Sequence, residues 1–361
     1  MIRIDLPHEI FIERGTRLAT TGDVTVTAFR YPNGIEALRV TCPRLELVVL
    51  PYRGQQVWQA WVDGAPIGMR GMTDEPRVGA TLLEAFGAFV YHCGLLGIAA
   101  PGPEDDHPLH GELPLAPMDE TWLEVTEEVG RTRLRICGAW EYARAFRAHY
   151  LWTPSVEVLS DATTFAIRAE VRNLMGSPFP FSYLMHPNFR PVDGARLAYS
   201  APYTAEAVRV RTEVPVHLGD KPGYREQLEA FRLDPSAHHV LTPGLAFDPE
   251  VVFLIDYLTD EDGFAHTLQL LPDGRADWIA HRPSDCPVAV RWLSRTPEQD
   301  CIALAEPATS GIGGFTEERR LGRVPVLPPG ATWTTEARMG RLDVDEAARV
   351  SAEIDRISGR A

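Results

Sequence analysis

Two histidines and one glutamate stand in sequence contexts that suit proton transfer. His110 lies in a loop rich in Gly, Pro and His, and loops on rigid sheets often carry catalytic groups. His186 ends an apolar strand, because Pro187 cannot continue a central ladder and turns the chain outward. Glu306 interrupts another apolar strand directly before Pro307, where burying an unpaired carboxylate is costly. An imidazole and a partly desolvated carboxylate both titrate near neutral pH, so these residue types suit general acid–base chemistry.

Each of the three residues also has a structural explanation. A His-Gly dipeptide such as His110-Gly111 is common in loops, and His186 could be a satisfied structural histidine. Glu306 could equally belong to a structural ion pair. The residues taken one by one therefore leave both interpretations open.

The segments that must position these residues consist of short strand-like runs. Their apolar residues alternate with polar ones or are β-branched, as expected for antiparallel sheets with one face on a core. Thirty prolines and 29 glycines separate the runs with turn chemistry. Examples of the runs are VTVTAF (24–29), LELVVLP (45–51), TTFAIRAEVRN (163–173) and VVFLIDYL (251–258).

Helical signals are scarce. The segment 75–89 is compatible with a short helix, and Asp343 can cap a terminal helix over 343–358. The polar segment 202–243 is interpreted as a long excursion from one domain. The pattern predicts an all-β fold, a large antiparallel β-sandwich with few short helices, as a single domain over residues 1–361.

Composition and charge restrict the partners. The 361 residues carry 50 acidic and 35 basic side chains, and this formal charge of -15 opposes a nucleic-acid footprint. The N-terminal residues lack the apolar core of a signal peptide, and no apolar run is long enough to cross a membrane. Five cysteines without a CxxC pair indicate reduced thiols that fill the core. We therefore expect a cytoplasmic protein with neither a nucleic-acid nor a membrane partner.

Several short motifs follow one another in a characteristic order along nearly the whole chain, from roughly residue 45 to 340. They are Cys-Gly-Leu (93–95), Leu-His-Gly (109–111), His-Pro-Asn-Phe (186–189), Glu-Pro (306–307), a Gly-rich stretch (311–314) and Pro-Gly (329–330). In order and context this set resembles the aldose 1-epimerase (galactose mutarotase-like) superfamily, and most of all an uncharacterised bacterial branch of it.

The resemblance implies an isomerase acting on a small-molecule sugar, with its site in a cleft on one sheet face. By position, Glu306 matches the base that removes the proton of the anomeric hydroxyl, and His186 matches the acid that protonates the ring oxygen. His110 matches the histidine that hydrogen-bonds the substrate near the reacting oxygens. This chemistry requires no metal or organic cofactor.

Further residues are candidates for binding the sugar. Glu112 stands where the similar branch usually has Arg, and His92 replaces a missing Arg-rich segment. Because bidentate recognition of an anion favours Arg, we expect a neutral or polyol-like sugar. The substrate-binding candidates are His92, Glu112, Asn188, Arg282, Trp278 and Trp292.

Two alternatives remain beside the mutarotase interpretation. If His92, His110, Glu112 and His186 converge, they could bind a divalent metal and serve a sugar isomerase or C-epimerase working through an enediol. No short metal-ligand spacing supports that site, so we assign no metal ligand. The other alternative is a non-catalytic carbohydrate-binding protein on the same sandwich. Because edge strands of such a sandwich can pair, a homodimer is also compatible with the sequence.

Overall fold

The computed structural model describes residues 1–214, 219 and 221–360. Its strands are β1 (Ile2–Asp5), β2 (Thr16–Thr21), β3 (Val24–Arg30), β4 (Glu36–Thr41), β5 (Leu45–Leu50), β6 (Gln56–Val62), β7 (Ala65–Pro66), β8 (Val90–Leu95), β9 (Glu120–Glu128), β10 (Arg131–Arg144), β11 (Ala148–Leu159), β12 (Thr164–Asn173), β13 (Phe179–Pro180), β14 (Ser182–Pro187), β15 (Arg196–Tyr199), β16 (Val208–Val210), β17 (Phe247–Ile255), β18 (Ala265–Leu270), β19 (Ala276–His281), β20 (Val288–Arg295), β21 (Asp300–Ala308), β22 (Val326–Leu327) and β23 (Thr332–Leu342). The α-helices are α1 (Tyr224–Leu233), α2 (Phe315–Arg320) and α3 (Val344–Ile357).

Two large sheets carry most of these strands. A nine-stranded sheet has the order β1-β9-β10-β11-β12-β23-β19-β18-β15. A twelve-stranded sheet has the order β16-β17-β20-β21-β14-β8-β6-β5-β4-β3-β2, with β7 paired to β6. Neighbouring strands are antiparallel throughout both ladders, for example β10 with β11 and β14 with β8. The predicted all-β antiparallel sandwich is thus confirmed.

The main core lies between the two sheets. Trp152 of β11, on the nine-stranded sheet, is fully buried there, and its indole lies 5.2 Å from the ring of His92 on β8. Phe89, just before β8, contacts Phe165 of β12 across the same layer, with ring centroids 6.0 Å apart. Burial of these large rings holds the sheets face to face.

A second apolar layer covers the outer face of the twelve-stranded sheet. Tyr91, Leu184 and Ala308, from three neighbouring strands, cluster there under residues of the segment 71–89. The central strands β8 and β14 are therefore buried on both faces, which explains their nearly continuous apolar sequence.

The observed helices match those expected from the sequence only in part. The predicted C-terminal helix is present as α3, and Asp343 caps it in a reciprocal capping box with Glu346. The segment 75–89, which was compatible with a short helix, forms no α-helix and holds a single 3-10 turn, Leu83–Ala85. Its Glu84 carboxylate binds the amides of Ala80 and Thr81, which closes a tight turn instead of a helix.

The polar segment 202–243 contains structure that its composition did not reveal. It holds β16 and α1, while residues 215–218 and 220 lie outside the described part of the chain. Tyr224, Leu228 and Phe231 are the buried face of α1, and their spacing is the signal that could have predicted this helix.

All five cysteines are buried and unbridged, as expected for reduced thiols. No helix within residues 1–214 and 221–360 is long and apolar enough to cross a bilayer.

Candidate active site

Glu306 and His186 meet on the outer face of the twelve-stranded sheet. Strands β21 and β14 are antiparallel neighbours that pair Leu184 with Ala308. Two positions further along, this register sets His186 beside Glu306, with His186 Nδ1 and Glu306 Oε1 3.2 Å apart but not hydrogen-bonded to each other. Both side chains are buried, at 4% and 3% exposure of the two residues. The register of two strands thus brings together the two residues that the sequence assigns to proton transfer.

His110 reaches the same place from a loop. Its ring centroid lies 5.3 Å from that of His186, in an edge-to-face arrangement. The loop is tied to β8, because the Gly94 amide donates to His110 O and the Glu112 amide donates to Gly94 O. Within the described part of the chain, His110 Nδ1 is buried without a hydrogen-bond partner.

The His-Gly dipeptide has a conformational basis. His110 and Gly111 both have left-handed backbones, with φ of 60° and 76°. A Cβ at Gly111 would lie 2.5 Å from the carbonyl oxygens of Gly94 and Gly97, so only glycine fits against β8. This close approach presents the His110 ring to His186.

Aromatic rings enclose the pair formed by Glu306 and His186. Trp292 of β20 lies 5.4 Å from His186 between ring centroids, and Phe86 lies 6.1 Å from His186 and 5.9 Å from Trp292. Tyr91 is 6.5 Å from His186 and stacks on Phe86. Of the predicted aromatic lining residues, Trp292 is therefore at the site.

Two charged residues at the site were missed by sequence reasoning. Glu250 of β17 accepts a 2.6 Å hydrogen bond from Trp292 Nε1, and the Arg211 guanidinium pairs with the same carboxylate. Glu250 starts an apolar run after Pro249, and this is the same signal of a carboxylate on an apolar strand that singled out Glu306. Arg211 follows β16 and left no comparable signal.

Burial dominates the electrostatics of the site. It raises the pKa of Glu306 well above its ordinary value, and the nearby Glu250 carboxylate raises it further. Burial also lowers the pKa of His186 well below its ordinary value, with a further decrease from His110. The pKa of His110 falls to about 4, because of burial and then His107. Burial thus favours the neutral form of each group, whereas direct contact between Glu306 and His186 favours carboxylate beside imidazolium.

His92 does not join this cluster. It is the neighbour of Tyr91 on β8, so its side chain points to the opposite face of the sheet, into the main core. There its Nδ1 lies 2.6 Å from Tyr183 Oη, and burial lowers its pKa to about 3. The expectation that His92 contacts the sugar is therefore corrected: it is a core histidine.

Glu112 also turns away from the cluster. Its Oε1 accepts hydrogen bonds from the amides of Leu95 and Leu96, at 2.8 and 3.2 Å, and from Tyr150 Oη at 2.6 Å. Burial raises its pKa to about 7, although these hydrogen bonds lower the pKa. Glu112 anchors the loop of His110 to the end of β8, so it does not bear on the charge of the sugar as the sequence suggested.

The remaining predicted binding residues divide between the two sheets. Asn188 lies beside His186 on the twelve-stranded sheet and is fully buried, its amide donating to Ala88 O at 3.0 Å. Trp278 of β19 packs under α3, and its Nε1 donates to His266 Nδ1 at 3.3 Å. Arg282 stacks on Phe264, 3.8 Å from its ring centroid. Trp278, on β19 of the nine-stranded sheet, and Arg282, directly after that strand, are therefore removed from the candidate site.

The convergence of His92, His110, Glu112 and His186 on a metal is not observed, because His92 and Glu112 point away from the two other residues. Among the described residues, no group of three or more His, Cys, Asp or Glu is arranged to hold a metal ion.

A groove of about 570 Å³ lies far from this site, on the outer face of the nine-stranded sheet. Several of its charged side chains pair with each other across neighbouring strands, as Arg168 Nε does with Glu336 Oε2 at 2.6 Å and Arg135 does with Glu124 at 2.9 Å. We keep Glu306 and His186 as the candidate site, because the residues that line this groove include no histidine.

Comparison with solved structures identifies the fold. A Klebsiella pneumoniae protein named a "putative aldose 1-epimerase" superposes with a TM-score of 0.80 at 19% identity, covering 99% of this chain and 96% of that one. A galactose mutarotase-like protein of Clostridium acetobutylicum gives a TM-score of 0.59 at 14% identity, covering 90% of this chain and all of that one, 100%. One of Lactobacillus casei gives 0.53 at 14%, covering 84% and 99%. At these identities the likeness shows a shared fold, that of galactose mutarotase-like proteins.

Among proteins with curated descriptions, none matches the sequence. A comparison with protein families matches residues 32–340 to the family described as "Domain of unknown function (DUF4432)". Since the match covers most of the sequence, this chain is a member of the DUF4432 family, built on the galactose mutarotase-like fold.

Proposed function

We propose that this protein is a carbohydrate isomerase of the aldose 1-epimerase type, which interconverts the anomers of a neutral sugar. The observation that carries the proposal is the buried contact of 3.2 Å between His186 Nδ1 and Glu306 Oε1. The two oxygens that exchange protons during anomer interconversion are bonded to the same carbon. A base and an acid that serve them must therefore lie side by side, as these two residues do.

In the proposed mechanism Glu306, as carboxylate, removes the proton from the anomeric hydroxyl, while protonated His186 donates a proton to the ring oxygen. The bond between the anomeric carbon and the ring oxygen breaks, which gives the open-chain aldehyde. Rotation about the neighbouring carbon–carbon bond presents the other face of the aldehyde. Reclosure reverses both proton transfers, so that Glu306 and His186 return to their starting states.

The other residues of the cluster have supporting roles in this proposal. His110, whose Nδ1 is buried without a partner among the described residues, hydrogen-bonds the substrate beside the reacting oxygens. Trp292 and Phe86 give apolar surface to the C–H face of a sugar ring. Asn188 keeps the neighbourhood of His186 polar, and its side chain counteracts the fall in the pKa of that histidine.

A neutral sugar is favoured by the charge of the site. The guanidinium of Arg211 is already paired with Glu250. An anionic sugar would have to approach two carboxylates, those of Glu250 and Glu306. Because burying an uncompensated charge is costly and the Arg211 cation is already taken up by Glu250, this site favours an uncharged substrate.

The proposal is tested by exchange NMR on a panel of neutral aldoses and ketoses, with sugar phosphates and uronic acids as the charged comparison. We expect at least one neutral sugar to show anomer exchange that is faster with the protein than without it. The same spectra report slower isomerisation to another sugar. If no sugar of the panel exchanges faster, the proposal is wrong; if a sugar binds without faster exchange, the protein is a carbohydrate-binding protein.

A further inference from the structure

The direction in which Glu306 points is not the one that a regular strand would give it. Ile302 and Leu304 of β21 face the main core. In a regular strand every second side chain shares a face, so Glu306 would follow these two residues into the core. Instead, its carboxylate lies on the outer face beside His186.

A β-bulge directly before Glu306 produces this reversal. Strand β20 pairs Val290 with Glu306 and Trp292 with Ala303, so two steps along β20 match three along β21. The extra residue lies in Leu304–Ala305, and both of these side chains pack in the main core. A bulge of this kind re-aims the side chains that follow it.

Arg291 stands opposite the bulge and binds it. Its Nε donates a 3.1 Å hydrogen bond to the carbonyl oxygen of Leu304. Because the bulge disrupts the regular ladder, a carbonyl there depends on a partner from outside it. Arg291 is fully buried, at 0% exposure, so its guanidinium is enclosed on the core side of the sheet whose outer face carries Glu306.

The other contacts of Arg291 hold the guanidinium in place without neutralising it. One terminal nitrogen donates to His238 Nε2 at 2.9 Å, and the other donates to Tyr257 Oη at 3.3 Å. His238 Nδ1 bonds the carbonyl of Pro235, which can only accept, so Nε2 is left as an acceptor for Arg291. The guanidinium carbon also lies 4.1 Å from the ring centroid of Tyr199.

Among the residues that the structure describes, no carboxylate pairs with Arg291. A buried cation without a counter-ion is expensive, and a well-packed apolar side chain in its place would cost less. A role beyond packing therefore explains an arginine at this position better than stability does.

We propose that Arg291 is a positioning residue for the reaction proposed above: by holding the carbonyl of Leu304, it fixes the bulge that directs Glu306 toward His186 and the sugar. The inference rests on the proposed function for its kinetic consequence, but its structural consequence is independent of any activity. Arg291 itself does not touch the substrate.

The test compares Arg291→Lys with Arg295→Lys. Lysine keeps the charge but cannot reproduce the fork of hydrogen bonds. Arg295 is the matched control, because it lies on the same strand and pairs with Asp300 of β21 at 2.9 Å, away from the bulge. We expect Arg291→Lys to lower kcat by about 10²-fold, as a misplaced catalytic group does, while KM changes by less than about twofold. Arg295→Lys should leave both constants near the wild-type values.

Crystal structures of the two variants give a readout that needs no activity. The Glu306 carboxylate should be displaced in Arg291→Lys and unmoved in Arg295→Lys. If the wild-type protein exchanges no sugar anomers, the proposed function fails while this displacement still decides the role of Arg291. A soluble Arg291→Lys variant with unchanged kcat or an unmoved Glu306 overturns the inference, and so does a rise in KM alone.

If Arg291→Lys does not fold, Tyr257→Phe is the second variant. It removes the hydroxyl that accepts from the guanidinium and that also hydrogen-bonds Thr267 Oγ1 of β18 at 2.6 Å, on the nine-stranded sheet and away from the bulge. We expect a smaller fall in kcat with KM unchanged. Wild-type kcat in this variant, with Arg291 released from Tyr257, contradicts a positioning role.

Discussion

At the scale of single residues, the protonation states of Glu306 and His186 determine how activity should depend on pH. Two forms of the pair carry a single titratable proton. In one form a carboxylic acid lies beside a neutral imidazole, and in the other a carboxylate lies beside an imidazolium. Burial raises the pKa of Glu306 and lowers that of His186, and both changes favour the pair with one proton and no net charge. We therefore predict a bell-shaped pH profile of kcat/KM with a broad plateau. Activity falls at low pH when the pair gains a second proton and at high pH when it loses its only one.

The profile is measured as kcat/KM, which reports on groups of the free enzyme, across the pH range in which the protein stays folded. Because the two groups are in contact, both limbs belong to the pair and not to either residue alone. A rate that keeps rising into alkaline solution would show that no proton is donated by the pair, and would contradict the assignment of His186 as acid.

Trp292 and Trp278 allow a second prediction at this scale. Only Trp292 lies beside His186, whereas Trp278 packs under α3. Trp292→Phe removes the donor to Glu250 and part of the stacking surface, so KM should rise by about three- to tenfold, the equivalent of about 1 kcal/mol. Trp278→Phe should leave KM unchanged. Steady-state kinetics on both variants check this prediction. An equal rise in KM in both variants would show that Trp278 also lines the site, as the sequence suggested.

At the scale of elements, Glu112 links the loop of His110 to β8. Its pKa is about 7 in the folded protein against 4.5 for the free side chain. Between pH 4.5 and pH 7 the folded state therefore binds one proton more than the unfolded state does. The stability that this proton contributes is fully present below pH 4.5 and is lost as pH rises through about 7. A shift of this size corresponds to about 3 kcal/mol.

Glu112→Gln should therefore flatten the decrease of the unfolding free energy over that pH range, because the amide does not titrate. Chemical denaturation at several pH values measures it. Glu170→Gln, at an exposed carboxylate on β12, is the control and should leave the pH dependence as in the wild type. A slope that is the same in Glu112→Gln and wild type would disprove the role of Glu112.

At the scale of the whole molecule, a buried ion pair joins strands of the nine-stranded sheet far from the candidate site. Arg341 Nε lies 2.7 Å from Asp277 Oδ1, and both residues are almost fully buried. Arg341→Met leaves the carboxylate buried without its cation, so we expect a loss of about 3–5 kcal/mol of unfolding free energy. Arg338→Met, on the same strand but exposed, should cost less than about 1 kcal/mol. Thermal and denaturant unfolding compare the two, and comparable losses would contradict this account.

The sequence predicted the architecture and the central residues better than it predicted their surroundings. Alternating runs and turn residues sufficed for the antiparallel sandwich. The face on which His92 lies was not predictable, because β8 is buried on both sides and its sequence VYHCGL shows no alternation. Trp278 and Trp292 look alike in sequence, and only the long-range strand order places them on different sheets. The bulge before Glu306 and the Glu250 contact likewise depend on pairing between distant strands, which no local pattern encodes.

The central claim is that Glu306 and His186 transfer the protons of anomer interconversion, and exchange NMR on Glu306→Gln tests it most directly. Glutamine keeps the size of the side chain but cannot accept the proton of the anomeric hydroxyl. We predict that Glu306→Gln and His186→Asn both remain folded, still bind the sugar that the wild-type protein accepts, and lose accelerated anomer exchange. Wild-type exchange rates in either folded variant would contradict the claim.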